Sequence, residues 1–473
     1  MKTETAISIL EKTIGNPFTR SILKPMSKFC KKDKKNRIEV AIEIYVGKRK
    51  KACIACRLAE KIVRKVIKRG GEAFGVSEEE IKEKFSQPYW AKALASTVRG
   101  IAIFGVRRPF TAGAPYQVVW DVTKACNLKC KHCYSASGKK GEEMSTSEAK
   151  KAIDILADAG VTILAFSGGE PLVRHDIFEL AKYASNKGMY VAMATNATLI
   201  TKEVARKMKE SGISFVQISL DGANSKVHDE FRGVDGAFEK TIEGIKNCVS
   251  EKFFVEVSTT ATHFNYKQIP DIIELCEKLQ VNWFMIFNFI PTGRGKFIFE
   301  NDLTPEEREE LLKMLWNKSK NSSIEILSTA PQFARVALQQ ESMEEIIMPT
   351  HFYNPKLKGK LVSLAEFIGG CGAGRFYLAM EPNGDLQPCV FFPLKIGNIF
   401  EDDFEKLWRK NKVLEDLRNK NKIEKCKNCD YRYYCGGCRA RAYAYFKDYL
   451  KPDPGCINNK KEYEEAIRCF AHM

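Results

Sequence analysis

Between residues 116 and 300, six short apolar runs alternate with amphipathic stretches. The runs are YQVVWDV, VTILAFS, MYVAMAT, ISFVQISL, FFVEVSTT and VNWFMIFNF. The stretches between them include 146–159, 176–187, 201–211, 237–251 and 267–279. A strand–helix repeat of this length implies parallel strands joined by helical crossovers, since parallel neighbours cannot be linked by a tight turn. Six units predict an α/β fold built on a partial (β/α)6 TIM-like barrel rather than a complete eight-fold one. Such barrels gather their chemistry in the loops that follow the strand C-termini.

The rest of the chain divides around this core. Residues 1–115 read as a basic helical region, with breaks at IGNP, RGGEAFG and FTAGAP. Residues 301–370 read as a connecting segment that opens with a helix near 304–318. Residues 371–473 form a small cysteine-rich region, where Asn383-Gly384 signals a hairpin because both residues tolerate positive φ.

Composition sets the compartment. No apolar run reaches the ~18–20 residues of a membrane span. The first twenty residues lack the basic-then-apolar order of a secretory signal. The expected location is the cytoplasm, so the sixteen cysteines are read as metal ligands or catalytic thiols before disulfides. Abundant Lys, Glu and Ile beside scarce Gln fit a thermophile. Charge is concentrated at one end: residues 1–110 carry 26 Lys+Arg against 11 Asp+Glu, nearly all of the chain's net +17.

The loop after the first strand reads KACNLKCKHCY, a C-x3-C-x2-C spacing of Cys126, Cys130 and Cys133. Three thiolates can hold three irons of a cubane and leave the fourth open; a zinc site with a distant fourth ligand has the same spacing. SGGEP follows the second strand, ATNAT the third and ISLDG the fourth. Together these segments resemble the signature of the radical S-adenosylmethionine (SAM) superfamily over residues 116–300. The resemblance implies a 4Fe–4S cluster on the three cysteines, with SAM on its open iron. It also implies reductive cleavage of SAM to a 5′-deoxyadenosyl radical, which abstracts hydrogen from an unactivated carbon. By the same resemblance His132 lies against the adenine. Ser167, Gly168, Gly169, Glu170 and Pro171 meet the methionine amino group, the glycines by close backbone approach and Glu170 by charge. Thr195, Asn196, Ser219 and Asp221 line the cofactor groove, and Arg232 pairs with the carboxylate.

A second array reads Cys371-x12-Gly384-x4-Cys389, Cys426-x2-Cys429-x5-Cys435-x2-Cys438 and then Cys456. Two zinc ribbons are the structural alternative. The order resembles the SPASM domain, which carries auxiliary 4Fe–4S clusters. The resemblance implies one cluster closed by Cys426, Cys429, Cys435 and Cys456, and one held by Cys371, Cys389 and Cys438 with an iron lacking a cysteine. The CGGC gap departs from the usual x3, a departure shared with enzymes that trim haem-precursor side chains. No eighth cysteine precedes Cys371. An auxiliary cluster favours oxidative chemistry, and a low-potential donor of ferredoxin or flavodoxin type is the implied partner.

Cys248, Cys276 and Cys469 read as packing or surface residues. Cys469 has no partner pattern, whereas Cys30, Cys53 and Cys56 are less easily dismissed: the CxxC spacing of Cys53 and Cys56 suits a metal or redox role, yet it opens an amphipathic helical stretch, where i and i+3 simply share a face. Residues 88–110, PYWAKALASTVRGIAIFGVRRPF, suit a helix lying in a membrane interface, and the basic balance of residues 24–110 suits anionic lipid at the membrane's inner face. The bland alternative is a helix packed on the barrel. No nucleic-acid-reading motif accompanies the charge. The favoured substrate is therefore a membrane-lipid hydrocarbon chain. The alternatives are a peptide side chain, a haem-precursor side chain and, from another class, an iron–sulfur electron carrier.

Overall fold

The computed structural model describes residues 12, 15–74, 77–340, 345–348, 354, 356–358, 362 and 364–471. A ten-stranded sheet forms its centre. The strands are β1 Gln117–Asp121, β2 Ile163–Ser167, β3 Tyr190–Thr195, β4 Ile213–Ser219, β5 Phe254–Ala261, β6 Trp283–Asn288, β7 Glu325–Ser328, β8 Tyr377–Met380, β9 Asp385–Gln387 and β10 Gly397–Asn398. Their order is β10-β9-β8-β1-β2-β3-β4-β5-β6-β7. All six expected strands form, each parallel to the next. The helices between them bury their apolar stripes against the sheet. The helix Thr146–Ala159 shows how the ends are set: a Ser145–Glu148 capping box opens it and left-handed Gly160 closes it.

Two additions extend the expected barrel. β7 lies in the connecting segment and pairs parallel with β6. β8 returns from the cysteine-rich end and pairs parallel with β1, Tyr377 opposite Gln117. The sheet stays open, because β7 and β10 are its two edges. The Asn383-Gly384 hairpin joins β8 to β9, but of the pair only Gly384 is left-handed, at φ +89°. The loop is therefore the three-residue kind rather than the two-residue turn that needs positive φ twice.

Among the described residues, the helices before the sheet include α1 Pro17–Met26, α2 Arg37–Tyr45, α3 Ile54–Phe74, α4 Glu78–Ser86 and α5 Pro88–Phe104. They share a core of their own around Ile38, Ile42, Ala59, Val63 and Ala95. The break expected at RGGEAFG falls at its end: α3 runs through both glycines to Phe74, and α4 begins at Glu78. Two glycines cost about 1 kcal/mol each in a helix, and the buried Ala59–Val63–Ile67 stripe of the preceding turns outweighs that. On the other side of α3, Ile54, Leu58, Ile62 and Val66 stand exposed one turn apart.

Residues 88–110 do not form an interfacial membrane helix. α5 is wedged between the N-terminal core and the barrel. Lys92 is buried and donates to Ala157 O at 3.2 Å, with Glu39 at 3.7 Å. Arg99 is buried, donates to Ala159 O at 3.0 Å and pairs with Glu405. Tyr89 packs edge-on against Tyr190, ring centroids 5.0 Å apart. Lys92 and Arg99 are thus held by protein partners in a packed seam, while Trp90 stays exposed. Among the described residues no helix is long and apolar enough to cross a membrane.

The seam yields a stability prediction. Arg99→Ala leaves Ala159 O without its donor and should lower unfolding free energy by about 1–3 kcal/mol in urea titration. An unchanged midpoint would mean that α5 does not hold the N-terminal helices to the barrel.

Candidate active site

Strand geometry puts the three-cysteine loop at the C-terminal end of β1. The loop folds back on itself through Cys126 N donating to Gly138 O (3.0 Å) and Gly138 N donating to Lys124 O (2.8 Å). Its outer arm is pinned to the helix Ser225–Arg232, with Lys129 N donating to Arg232 O and Lys131 N to Phe231 O, both at 3.0 Å. A third clamp comes from the segment after β6. Arg294 N donates to Cys133 O at 2.8 Å and Arg294 Nε to Cys130 O at 2.9 Å. Gly293, at φ +57°, sits so close that a Cβ would lie 2.2 Å from Tyr134 O. The clamp lies in PTGRG, residues 291–295, where two glycines around an arginine just past a barrel strand are its signal in the sequence.

The glycines of SGGEP pack against the cysteine loop. Gly169 N donates to Thr123 O (2.8 Å) and Glu170 N to Ala125 O (2.9 Å). A Cβ on Gly168 would meet Thr123 O at 2.5 Å, and one on Gly169 would meet Ala125 O at 2.0 Å. The close approach they permit is to the cysteine loop's own backbone. Glu170, unlike the two glycines, does not line the cavity described below. It is fully buried, and its carboxylate accepts from Thr195 Oγ1 and Asn196 N, both at 2.8 Å, and from Leu172 N at 3.2 Å. Burial raises it to about 7. Its position ties the second loop to the third rather than presenting a charge. Pro171 is buried as the first residue of the short helix behind it.

Asp221 also faces inward. It is fully buried, pairs with Arg232 Nη2 at 2.5 Å and accepts from Thr260 N at 2.7 Å. Burial alone would raise its carboxyl; Arg232, with His132 beside it, more than offsets this and holds it below the usual range. Arg232 in turn reaches Cys130 Sγ at 3.7 Å. The pair is therefore neither a solvated loop bridge nor a direct lining pair: only Arg232 reaches the cavity wall. His132 lies flat on Phe231, ring centroids 4.2 Å apart, and burial lowers it to about 4, so it is neutral near pH 7.

Eight of the eleven expected SAM-groove residues line one cavity of about 480 Å³: His132, Ser167, Gly168, Gly169, Thr195, Asn196, Ser219 and Arg232. Cys126, Cys130 and Cys133 line it too. The cavity then continues down the barrel, where Tyr190, Phe215, Phe254 and Trp283 form its wall. One carboxyl interrupts that apolar wall. Glu256 sits mid-strand in β5, is bonded by Gln217 Nε2, and burial raises it to about 7. A glutamate inside FFVEVSTT was the signal for it.

The same cavity reaches Cys371, Cys389 and Cys438. Cys438 occupies the N-cap position of the helix Arg439–Phe446 without a side-chain cap hydrogen bond, and burial raises its thiol to about 12. Cys426, Cys429, Cys435 and Cys456 surround a separate pocket of about 30 Å³. Buried cations stand around both groups. Arg441 is fully buried with none of its three guanidinium nitrogens hydrogen-bonded, and Arg439 Nη2 is likewise orphaned. Lys420 is buried within reach of Cys371 and Cys426, and burial lowers it to about 8. Clustered thiols beside buried cations, of which Arg441 meets Asp453 at 3.6 Å and keeps guanidinium nitrogens without a hydrogen bond, fit an anionic iron–sulfur group. At the first site three thiols, with no fourth facing that end of the cavity, fit a cubane with one iron free for another ligand.

Comparison with known proteins finds two family segments in the chain. The family model of the radical SAM superfamily matches residues 120–279, and that of the SPASM iron–sulfur cluster-binding domain matches residues 371–430. The chain is 38% identical over 350 residues to the AdoMet-dependent heme synthase of Methanosarcina barkeri, an alignment covering 73% of this chain and 97% of that one. It is 31% identical over 356 residues to a mycofactocin maturase of Mycobacterium tuberculosis, covering 74% and 84%. Among solved structures, Streptococcus suis SuiB bound to S-adenosylmethionine matches with a TM-score of 0.63 at 19% identity, over 89% of this chain and 92% of that one. That last likeness concerns the fold.

The backbone clamps predict which glycines are indispensable. Gly169→Ala and Gly293→Ala should each cut 5′-deoxyadenosine formation to below about a tenth, because each Cβ collides with cysteine-loop backbone and loop collapse costs several kcal/mol. Gly138→Ala, with open space at its Cβ, should retain wild-type yield. Equal behaviour of all three variants would contradict the clamp.

Proposed function

The chain belongs to the radical SAM superfamily and carries a SPASM domain, and on that premise we propose that it oxidises a side chain of a haem precursor held in the barrel cavity. It is an enzyme that binds S-adenosylmethionine and 4Fe–4S clusters, and it requires a one-electron reductant. Cys126, Cys130 and Cys133 would hold the cluster, which with bound SAM would supply a 5′-deoxyadenosyl radical.

The observation that carries the reading is the continuity of the cavity. Cys126, Cys130 and Cys133 line one part of it, and Cys371, Cys389 and Cys438 another. A substrate carbon between them is reachable from the SAM side, while the second thiol group lies against the same substrate. The aromatic wall of Phe215, Phe254 and Trp283 excludes water and holds a flat or bulky apolar body. Glu256 faces a polar end of the substrate. Relatives named for haem synthesis and for maturation support a tetrapyrrole or a peptide more than a membrane-lipid chain. The packed position of α5 also removes the segment on which the lipid reading rested. The haem synthase relative is the more similar of the two, which favours the tetrapyrrole.

The test is anaerobic incubation with SAM, reductant and, in separate arms, a haem precursor bearing acid side chains, a host peptide fraction and a host lipid fraction. Mass loss in the haem precursor alone, abolished by Cys389→Ala while 5′-deoxyadenosine still forms, is the expected result. Mass change only in the peptide or lipid arm would refute the substrate class. Glu256 adds a pH dependence. With its carboxyl raised to about 7, it is neutral below that pH and charged above it. An acidic substrate side chain is then repelled as pH rises from 6 to 8, so turnover should fall, and Glu256→Gln should flatten the profile.

A further inference from the structure

We propose that Cys30, Asp33, Cys53 and Cys56 form a tetrahedral zinc site that staples the N-terminal helical unit. The four come from two separate pieces of chain. Cys30 ends the first strand of a two-residue ribbon, Phe29–Cys30 against Lys35–Asn36, and Asp33 lies in the turn of that ribbon. Cys53 immediately precedes α3, and Cys56 lies in its first turn. Their ligand atoms all fall within 4.8 Å of one another. Cys30 and Cys56 are buried, while Cys53 and Asp33 are half-buried.

The spacing matches one ion. With Zn–S at ~2.3 Å and Zn–O at ~2.0 Å, a tetrahedral shell has S···S edges of about 3.8 Å and S···O edges of about 3.5 Å. Cys30 Sγ lies 3.6 Å from Cys53 Sγ and 3.5 Å from Asp33 Oδ2. A disulfide would need ~2.05 Å between the sulfurs. Asp33 is held in place from outside, by Cys53 N at 3.2 Å to Oδ2 and 3.4 Å to Oδ1, and by Arg49 at 3.7 Å. Carboxylate orientation by a backbone amide and a neighbouring cation is the usual support of a ligand.

Three thiolates and a carboxylate on a divalent ion leave a charge of −2. The basic runs around the ligands, FCKKDKKNR and GKRKKACIAC, offset it. Part of the N-terminal charge thus has a local use that does not need an anionic partner. The thiolate-rich set and tetrahedral spacing select zinc among common divalent ions. The matched family segments, 120–279 and 371–430, do not include these residues. The site is separate from the radical chemistry, so its loss and the loss of that chemistry are distinguishable.

The experiment measures metals in the full-length protein, purified anaerobically with its clusters loaded and supplied with zinc sulfate. About one zinc per chain is expected beside the iron. Zinc K-edge absorption on the same sample should show three sulfurs near ~2.3 Å and one oxygen near ~2.0 Å. Cys53→Ser/Cys56→Ser should drop zinc below a tenth of an equivalent, lower the melting temperature and leave iron content and 5′-deoxyadenosine yield unchanged. Wild-type protein without zinc, a sulfur-free zinc shell, one iron in place of the zinc, or a disulfide among these thiols would overturn the assignment. Should the double variant not fold, Asp33→Ala in otherwise intact protein must still lose the oxygen from the zinc shell.

Discussion

Gly168–Glu170 and Thr123–Ala125 run against each other with no room for a side chain between them. This backbone contact ties the loop after β2 to the loop after β1, and Glu170 extends the tie to the loop after β3 through Thr195 and Asn196. The three thiols of Cys126, Cys130 and Cys133 sit on an irregular loop held by these contacts. Three rigid strand ends, joined in this way, give it one conformation. The helix Ser225–Arg232 and the Arg294 clamp complete the frame from the other side.

Buried charge is the second organising constraint. The Asp221–Arg232 pair lies beside Cys130 in an apolar setting, where either charge alone would be costly. Together they place a guanidinium against the thiol group without exposing a carboxylate to the cavity. Around the C-terminal thiols the balance differs: Arg439, Arg441 and Lys420 are buried with fewer carboxylates facing them than cations. Such an excess is sensible only where anionic groups share the space, and the thiol sets occupy that space.

Much of this was legible in the sequence, for physical reasons. The six strands and their helices are periodic patterns, and periodicity is local. The cysteine groupings were readable because ligand spacing is local as well. What was lost depended on distant partners. EILS is too short to announce a strand until β6 lies beside it. Arg99 reads as a headgroup anchor until Glu405, far along the chain, is placed against it. Gly169 shows that a side chain is forbidden, but not which neighbour forbids it. Glu170 and Asp221 read as ligand-facing acids, whereas the fold turns both toward protein donors. Cys53 and Cys56 read as a helix face until the ribbon carrying Cys30 and Asp33 folds onto it.

An open sheet leaves room inside that a closed barrel would fill with its own layers of side chains. The cavity so formed joins both thiol groups along a single apolar channel, with Glu256 as its polar mark. The claim that substrate occupies this channel is tested most directly by blocking it at Ala192, a cavity-wall residue of β3. The measurement is the ratio of modified substrate to 5′-deoxyadenosine in Ala192→Phe. If the channel holds the substrate, 5′-deoxyadenosine continues to form and the ratio falls at least about tenfold, the scale of a ~1.4 kcal/mol loss in binding. A ratio equal to wild type would place the substrate elsewhere and contradict the account.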